Sequence, residues 1–189
     1  MRVGKTLLGL LIILCCSSAV FSQMPPPAKT PGDALNVSLG IVEHDVVPAA
    51  DAMPEDKYDF APANGEFKGV RTFAQQVKHI AATNYVFGGV VLGEKPPMEG
   101  GENGPDSVKT KAEIMKYLND SFTYLHKALA SVTDQNQLQQ MDSPFGMKAA
   151  RLTFASFAVA HPLDHYGQMV EYLRMNGVVP PASRPQPKK

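Results

Sequence analysis

Apolar residues recur every three or four positions in four stretches of the chain, which is the spacing of an amphipathic helix. Loops rich in proline, glycine, aspartate and asparagine separate these stretches. No segment sustains the two-residue alternation of a strand, and β-branched clusters are few. The pattern therefore predicts an all-α protein, a four-helix bundle with up-down-up-down connectivity or a relative of one. The predicted helices cover residues 34–53, residues 67–92, a segment that begins at Asp106 or Ser107, and residues 144–176.

The second predicted helix differs from the others because it carries two stripes on opposite sides. One stripe is mainly apolar and includes Phe73, Val77 and Ile80. The opposite stripe includes Gln75, His79, Ala82, Val86 and Val90. A helix with two inward faces is expected to lie between other helices.

The N-terminus has the pattern of a secretory signal. Arg2 and Lys5 precede a ten-residue apolar core, which is too short to span about 30 Å of hydrocarbon. A lipoprotein with Cys15 or Cys16 lipidated is the weaker alternative, because neither cysteine follows a small residue. The expected organisation is a signal at residues 1–22, a Pro-rich spacer at 23–33, the bundle at 34–183 and a disordered tail at 184–189.

This organisation limits the reactive groups and the partners that are expected for the exported protein. Both cysteines lie within the expected signal, so the processed chain has no disulfide, thiolate ligand or cysteine nucleophile. The formal charge of the whole chain is zero and no basic stripe is present, which argues against nucleic acid as a partner. Once the signal is removed, no stable membrane span is expected.

The fourth predicted helix contains two candidate metal ligands. His161 and His165 lie four residues apart, which places both imidazoles on one face, one turn apart. Neutral imidazoles suit zinc, nickel, copper or ferrous iron. The spacing is a weak signal on its own, since partly buried histidines with hydrogen-bond partners also fit it. Pro162 between them removes a backbone hydrogen bond. It indicates either a tolerated kink or helix restart, or a kink that aims the histidine pair.

A metal site of this kind needs a third ligand, and the chain offers three more histidines. His44 lies opposite the apolar stripe of its helix and is expected to face solvent. His126 lies beside the apolar stripe of the third helix, which favours a hydrogen-bonded core histidine. His79 lies on the second stripe of the second helix, where Gln75 and the small Ala82 leave room for a cleft. His79 is therefore the favoured third ligand.

These motifs resemble the DinB-like superfamily, which includes the YfiT-type proteins. The segments that carry the resemblance are "MPEDKYDFAPANGEFKGVRTFAQQVKHIAA" and "HPLDHYGQMVEYLRMNGVVPP". It extends from about Asp33 to Ser183. It implies a four-helix bundle whose metal is held by His79, His161 and His165. Gln168 falls in the family's H-x-G-Q pattern, where it either faces the site or, as favoured here, bonds one helix to another.

The resemblance implies a metal-dependent hydrolase or thiol-dependent transferase that acts on a small-molecule substrate, and the N-terminal signal adds the expectation that this protein is exported. It also implies that two chains pair as a homodimer. The metal would be a divalent transition ion such as zinc, nickel or iron, with an open coordination position. Asp164 and Glu171 are the nearest carboxylates in sequence, but both point away from the histidine face, so no general base is evident. A non-catalytic metal- or ligand-binding bundle is the alternative.

Overall fold

Four α-helices dominate the protein, as predicted. The structure, a computed structural model, describes residues 27–97 and 101–185. The expected signal, the first four residues of the spacer and the last four residues of the chain lie outside the described residues. The helices are α1 (Pro31–Ala52), α2 (Phe73–Leu92), α3 (Lys111–Ala130) and α4 (Arg151–Met175). Strands β1 (Gln140–Asp142) and β2 (Lys148–Ala150) form an antiparallel hairpin between α3 and α4, and 3₁₀ turns occupy Glu55–Lys57 and Pro181–Ser183.

Helix α2 lies between α3 and α4, and α1 packs against the same two helices from the other side. Most residues of α2 are buried, which confirms the prediction of two inward faces. The core consists of large side chains from all four helices, including Leu39, Phe73, Ile80, Phe122, Leu125 and Phe154. Because α2 is enclosed on both sides, a polar residue on it is held inside the bundle.

Helix α2 begins at Phe73, six residues later than predicted. Thr72 is the N-cap. Its hydroxyl accepts a hydrogen bond from the Gln75 N–H at 3.2 Å, and the Gln75 side chain accepts one from the Thr72 N–H at 2.9 Å. This reciprocal capping box satisfies two backbone donors at the helix start. Residues 67–72 have helical spacing in the sequence but lie in the preceding loop.

Helix α3 begins at Lys111, whereas the sequence predicted a start at Asp106 or Ser107. Thr110 and Glu113 form the same kind of capping box, which fixes the start of the helix there. Good N-cap residue types also occur in loops, and the reciprocal partner three residues later distinguishes the true cap.

Helix α4 begins at Arg151, and residues 144–150, predicted to be its first two turns, belong to the hairpin. No side chain caps this helix. The backbone of the preceding loop does so instead: the Arg151 N–H donates to the Gln139 carbonyl at 2.8 Å and the Leu152 N–H to the Gln137 carbonyl at 2.9 Å. The hairpin and the start of α4 are therefore fixed to one another.

Helix α4 continues through Pro162 without a break, so Pro162 does not mark a helix restart. The helix ends as predicted, because Gly177 follows it with a φ of +73°, a conformation that glycine adopts without strain. Among the described residues, no helix has both the length and the apolar composition that a bilayer crossing requires.

Candidate metal centre

Helices α2 and α4 bring His79, His161 and His165 together inside the bundle. The ring centroids lie 5.2 Å apart for His79 and His161, 4.6 Å for His79 and His165, and 4.6 Å for His161 and His165. One nitrogen from each ring lies within 4.8 Å of the other two. His79 and His165 are buried and His161 is partly buried. The three residues singled out in the sequence therefore form one cluster.

Hydrogen bonds fix the orientation of the His79 and His161 rings. The His79 Nδ1–H donates to the backbone carbonyl of Glu102. The Thr83 hydroxyl donates to the His79 carbonyl at 2.8 Å, so its oxygen is free to accept from the His161 Nδ1–H at 3.1 Å. Both rings thus carry their proton on Nδ1 and keep an electron pair on Nε2.

The His165 ring is fixed by a chain of side chains that ends on a carboxylate. Its Nδ1–H donates to Gln76 Oε1 at 2.9 Å. The Gln76 amide donates to Gln168 Oε1 at 2.7 Å, and the Gln168 amide donates to Asp164 Oδ2 at 3.2 Å. Gln168 therefore links α4 to α2 by a hydrogen bond, which confirms the role that was favoured for it from the sequence. Each donor in the chain points toward the carboxylate, which sets the tautomer of His165 and leaves its Nε2 unprotonated.

The converging nitrogens fit a cation. His161 Nε2 and His165 Nε2 lie 3.2 Å apart, and with both protons on Nδ1 two electron pairs face each other across this gap. Burial, together with the neighbouring histidines, lowers the pKa of His161 and of His165 to about 4. Burial also lowers the pKa of His79. At neutral pH no proton relieves the repulsion, whereas a divalent metal ion with a preference for neutral nitrogen ligands would.

These low pKa values predict how the metal-free protein responds to acid. In the unfolded chain each histidine takes up a proton near pH 6.5, whereas His161 and His165 in the folded protein do so only near pH 4. The unfolded state therefore binds more protons in this window, and the free energy of unfolding should fall as the pH is lowered from about 6.5 to about 4. Urea unfolding of the metal-free protein across this range measures the effect.

The control is a His161→Gln, His165→Gln double variant, in which both groups are absent. Its free energy of unfolding should decline less steeply between pH 6.5 and pH 4. Equal slopes for the parent protein and the double variant would mean that the two imidazoles have the same pKa in the folded and unfolded states, which would contradict the prediction.

The other two histidines lie elsewhere. The side chain of His44 is 84% exposed on α1, as expected. His126 is hydrogen-bonded to Asn36 Oδ1 at 2.6 Å and to Glu43 Oε2 at 2.9 Å, which confirms the expected hydrogen bonds, but its side chain is 32% exposed and lies at the edge of the core. Within the described part of the chain, the metal-compatible cluster consists of the three histidines alone.

The carboxylates considered near the histidines either bind other side chains or face solvent. Asp164 accepts from Gln168, and the Glu102 carboxylate pairs with Arg71 at 3.0 Å. Glu171 is exposed on α4. Of the two carboxylates considered from the sequence, Asp164 thus binds Gln168 and Glu171 faces solvent. In the same loop between α2 and α3, Asn103 Oδ1 accepts a hydrogen bond from Arg71 Nε–H at 2.9 Å.

Three residues that orient the histidines were not identified from the sequence. Gln76 lies three residues before His79 and Thr83 four residues after it, so both share its face of α2 and helical spacing could have indicated them. The Glu102 carbonyl gave no such signal, because a backbone oxygen in a loop leaves no mark on the sequence.

Comparison with known proteins agrees with this architecture. The sequence profile of the DinB superfamily matches residues 39–169. The fold is similar to that of a DinB-like protein from Bacillus cereus, with 20% identity, a TM-score of 0.61, and coverage of 79% of this chain and 95% of that one. A DinB-like protein from Bacillus subtilis is 19% identical with a TM-score of 0.58, and the match covers 76% of this chain and 92% of that one. At these identities the structures support the fold alone. No curated protein matches this chain significantly.

Proposed function

This chain belongs to the DinB superfamily, and we propose that it is an exported enzyme that binds one divalent transition metal ion through His79, His161 and His165. The observation that carries the proposal is the convergence of three neutral imidazoles whose Nδ1 atoms are all bound to other groups of the protein. Three protein nitrogens leave a coordination position open, which is typical of catalytic rather than structural sites. A metal ion held there would supply Lewis-acid chemistry to a substrate atom placed against it.

The protein's own residues prepare the site in two ways. Burial keeps the imidazoles neutral, so that they are available as ligands at and below neutral pH. Gln76, Thr83 and the Glu102 carbonyl hold the rings in place. Ligands held in this way lose little conformational freedom on binding a metal ion, which favours high affinity.

The residues around the site favour a reaction that needs no carboxylate base. Among the described residues, the carboxylates beside the histidines, Asp164 and Glu102, have amide and guanidinium partners. Two nucleophiles can act in such a site without a carboxylate base, because a thiol ionises with a pKa of about 8.5 and a metal ion lowers the pKa of a bound water to about 7. Transfer of a small group to a thiol and hydrolysis of a small ester, amide or halide are therefore the two reactions to test.

The test is an activity screen of the untagged protein loaded with zinc, nickel or iron. Small esters, amides and alkyl halides are supplied with and without a low-molecular-weight thiol. We expect turnover in at least one arm, loss of that turnover in His161→Ala, and full activity in His44→Ala. Equal turnover in the protein and in His161→Ala would refute the proposed metal-dependent activity.

A non-catalytic metal-binding module is the second candidate, and it is favoured because the described carboxylates beside the histidines, Asp164 and Glu102, have other partners. It predicts a stoichiometric metal ion that depends on the same histidines, with no turnover of any substrate in the screen. The two candidates therefore share the metal measurement and differ in the activity measurement.

The chain from His165 to Asp164 predicts a role for Gln76 in metal affinity. Gln76→Leu removes the acceptor for the His165 Nδ1–H and should weaken metal binding by about 10–100-fold, the usual cost of losing such a partner. Gln76→Glu keeps an acceptor oxygen at this position and should restore most of the affinity. Competition titrations with a metal-sensitive dye measure both variants. Equal losses in both would show that Gln76 matters for packing instead.

Export completes the proposal and is supported by the basic start and short apolar core of residues 1–22. N-terminal sequencing of the protein from its native host should find a mature chain that begins at Gln23. A chain lipidated at Cys15 or Cys16 would show the lipoprotein alternative instead.

A further inference from the structure

A cavity of about 440 Å³ opens beside the histidine cluster, and His79 and His161 form part of its wall. This volume lies within the range of about 300–1,000 Å³ that small-molecule pockets usually have. His165, the third member of the cluster, does not line the cavity. The cavity therefore reaches the cluster at His79 and His161.

The rest of the wall is almost entirely apolar. Helix α2, helix α4 and the tip of the hairpin between β1 and β2 contribute Val86, Phe87, Phe145, Met147, Phe154 and Phe157. Among the described residues of the wall, none is lysine or arginine. The carboxylate that the described part of the chain contributes to the wall belongs to Glu102, which pairs with Arg71. An ionic group on a ligand would thus lose its hydration here without gaining a partner of opposite charge.

Aromatic rings form a continuous path from the hairpin tip to the cluster. The centroid of Phe145 lies 6.0 Å from that of Phe87, and Phe87 lies 4.9 Å from Phe157. Phe157 lies 5.6 Å from His161. These separations fall within the 4.5–7 Å of favourable ring pairs, so a ligand ring placed along the path would find partners at the same spacing.

The hairpin tip is held rigidly although its apolar side chains are exposed. The Ser143 hydroxyl accepts from the N–H groups of Phe145 at 3.3 Å and Met147 at 3.2 Å, and the Ser143 N–H donates to the Met147 carbonyl at 2.8 Å. Gly146, with a φ of +76°, allows the tight turn between the two side chains. Phe145 is 63% exposed and Phe157 is 48% exposed. Exposed apolar groups on a fixed backbone are preorganised for a ligand.

We propose that this cavity binds an uncharged ligand with an aromatic body, oriented so that a donor atom at one end of the ligand reaches the histidine cluster. The aromatic body lies against Phe87 and Phe157, with Phe145 and Met147 covering its outer end. The part of the proposal that concerns the donor atom rests on the proposed metal site, whereas the part that concerns the aromatic body does not. The two parts therefore have separate tests.

The first test uses the metal-free, untagged protein and two fluorescent probes that share one ring system. N-phenyl-1-naphthylamine is uncharged, and 8-anilino-1-naphthalenesulfonate adds an anionic group. We expect the uncharged probe to bind at one site per chain and at least about tenfold more tightly than the anionic probe. Equal binding of the two probes, or no binding of the uncharged probe, would overturn the proposal.

Matched variants locate the bound probe. Phe157→Ser should weaken binding of the uncharged probe about tenfold or more, because the substitution removes the whole phenyl ring from the contact. Leu163→Ser, on the same helix and equally exposed at 46%, lies outside the cavity and should leave binding unchanged. Circular dichroism checks that both variants fold. Equal effects of the two substitutions would place the probe elsewhere and overturn the proposal.

The second test uses the zinc-loaded protein and two hydroxamates with the same metal-binding group. Benzohydroxamate should bind at least about tenfold more tightly than acetohydroxamate, and Phe157→Ser should remove most of this difference while leaving acetohydroxamate unchanged. Equal affinity for the two compounds would overturn the inference about the cavity. Failure of both to bind, with binding of the uncharged probe intact, would instead overturn the proposed metal site.

Discussion

Replacing His165 with alanine should abolish stoichiometric metal binding. The substitution removes one of three nitrogens that converge within 4.8 Å of one another, and it also breaks the hydrogen-bond chain at its first member. Loss of a partner to a metal ligand costs about 10–100-fold in affinity, so loss of the ligand itself should cost at least about 100-fold. Elemental analysis of protein purified without a histidine tag should find nearly one metal ion per chain in the parent protein.

His44→Ala is the matched control, since His44 is an exposed histidine on α1 that is not part of the cluster. We expect this variant to keep its metal ion, and His165→Ala to retain less than about a tenth of an ion per chain. Equal metal content in the two variants would mean that the three imidazoles only form hydrogen bonds within the bundle.

Replacing Phe73 with alanine should destabilise the whole bundle. Phe73 is the first residue of α2 and is fully buried, and its ring packs edge-on against Tyr58 with the centroids 5.4 Å apart. Truncating a buried phenylalanine costs about 3–5 kcal/mol of unfolding free energy. For a domain of this size, that loss lowers Tm by about 6–20 °C. Calorimetry of the metal-free protein measures the change.

Phe67→Ala provides the comparison, because Phe67 is 40% exposed in the loop before α2. Its substitution should change the unfolding free energy by no more than about 0.5 kcal/mol. Similar losses at the two positions would indicate that the loop, rather than the first turn of α2, anchors this end of the bundle.

The existence of the four helices could be predicted from apolar periodicity, but their starting points could not, and α1 itself begins at Pro31, three residues before its predicted start. In α2 the periodic pattern extends back into residues 67–72. The reciprocal hydrogen bonds of Thr72 and Gln75 instead fix the first residue of the helix at Phe73. In α4 the cap consists of the carbonyls of Gln137 and Gln139, which any residue would supply. Periodicity reports which side of a segment is buried, and it is insensitive to whether the backbone is helical there.

The histidine cluster could be predicted for a related reason. The spacing of His161 and His165 places both on one face of any helix, and the second stripe of α2 indicated that His79 points inward. The cavity could not be predicted, because two of its apolar side chains, Phe145 and Met147, lie on a hairpin that the sequence indicated as helix. A contact that depends on the path of a connecting loop has no periodic signature.

The partner of His79 has an evolutionary consequence, because it is a main-chain oxygen. Glu102 can be exchanged for almost any amino acid without removing that acceptor, so the amino acid at this one position is free to change. Insertions or deletions between α2 and α3 would instead shift the oxygen away from the imidazole. Natural variants should therefore preserve the length of this connection more strictly than the amino acid at position 102.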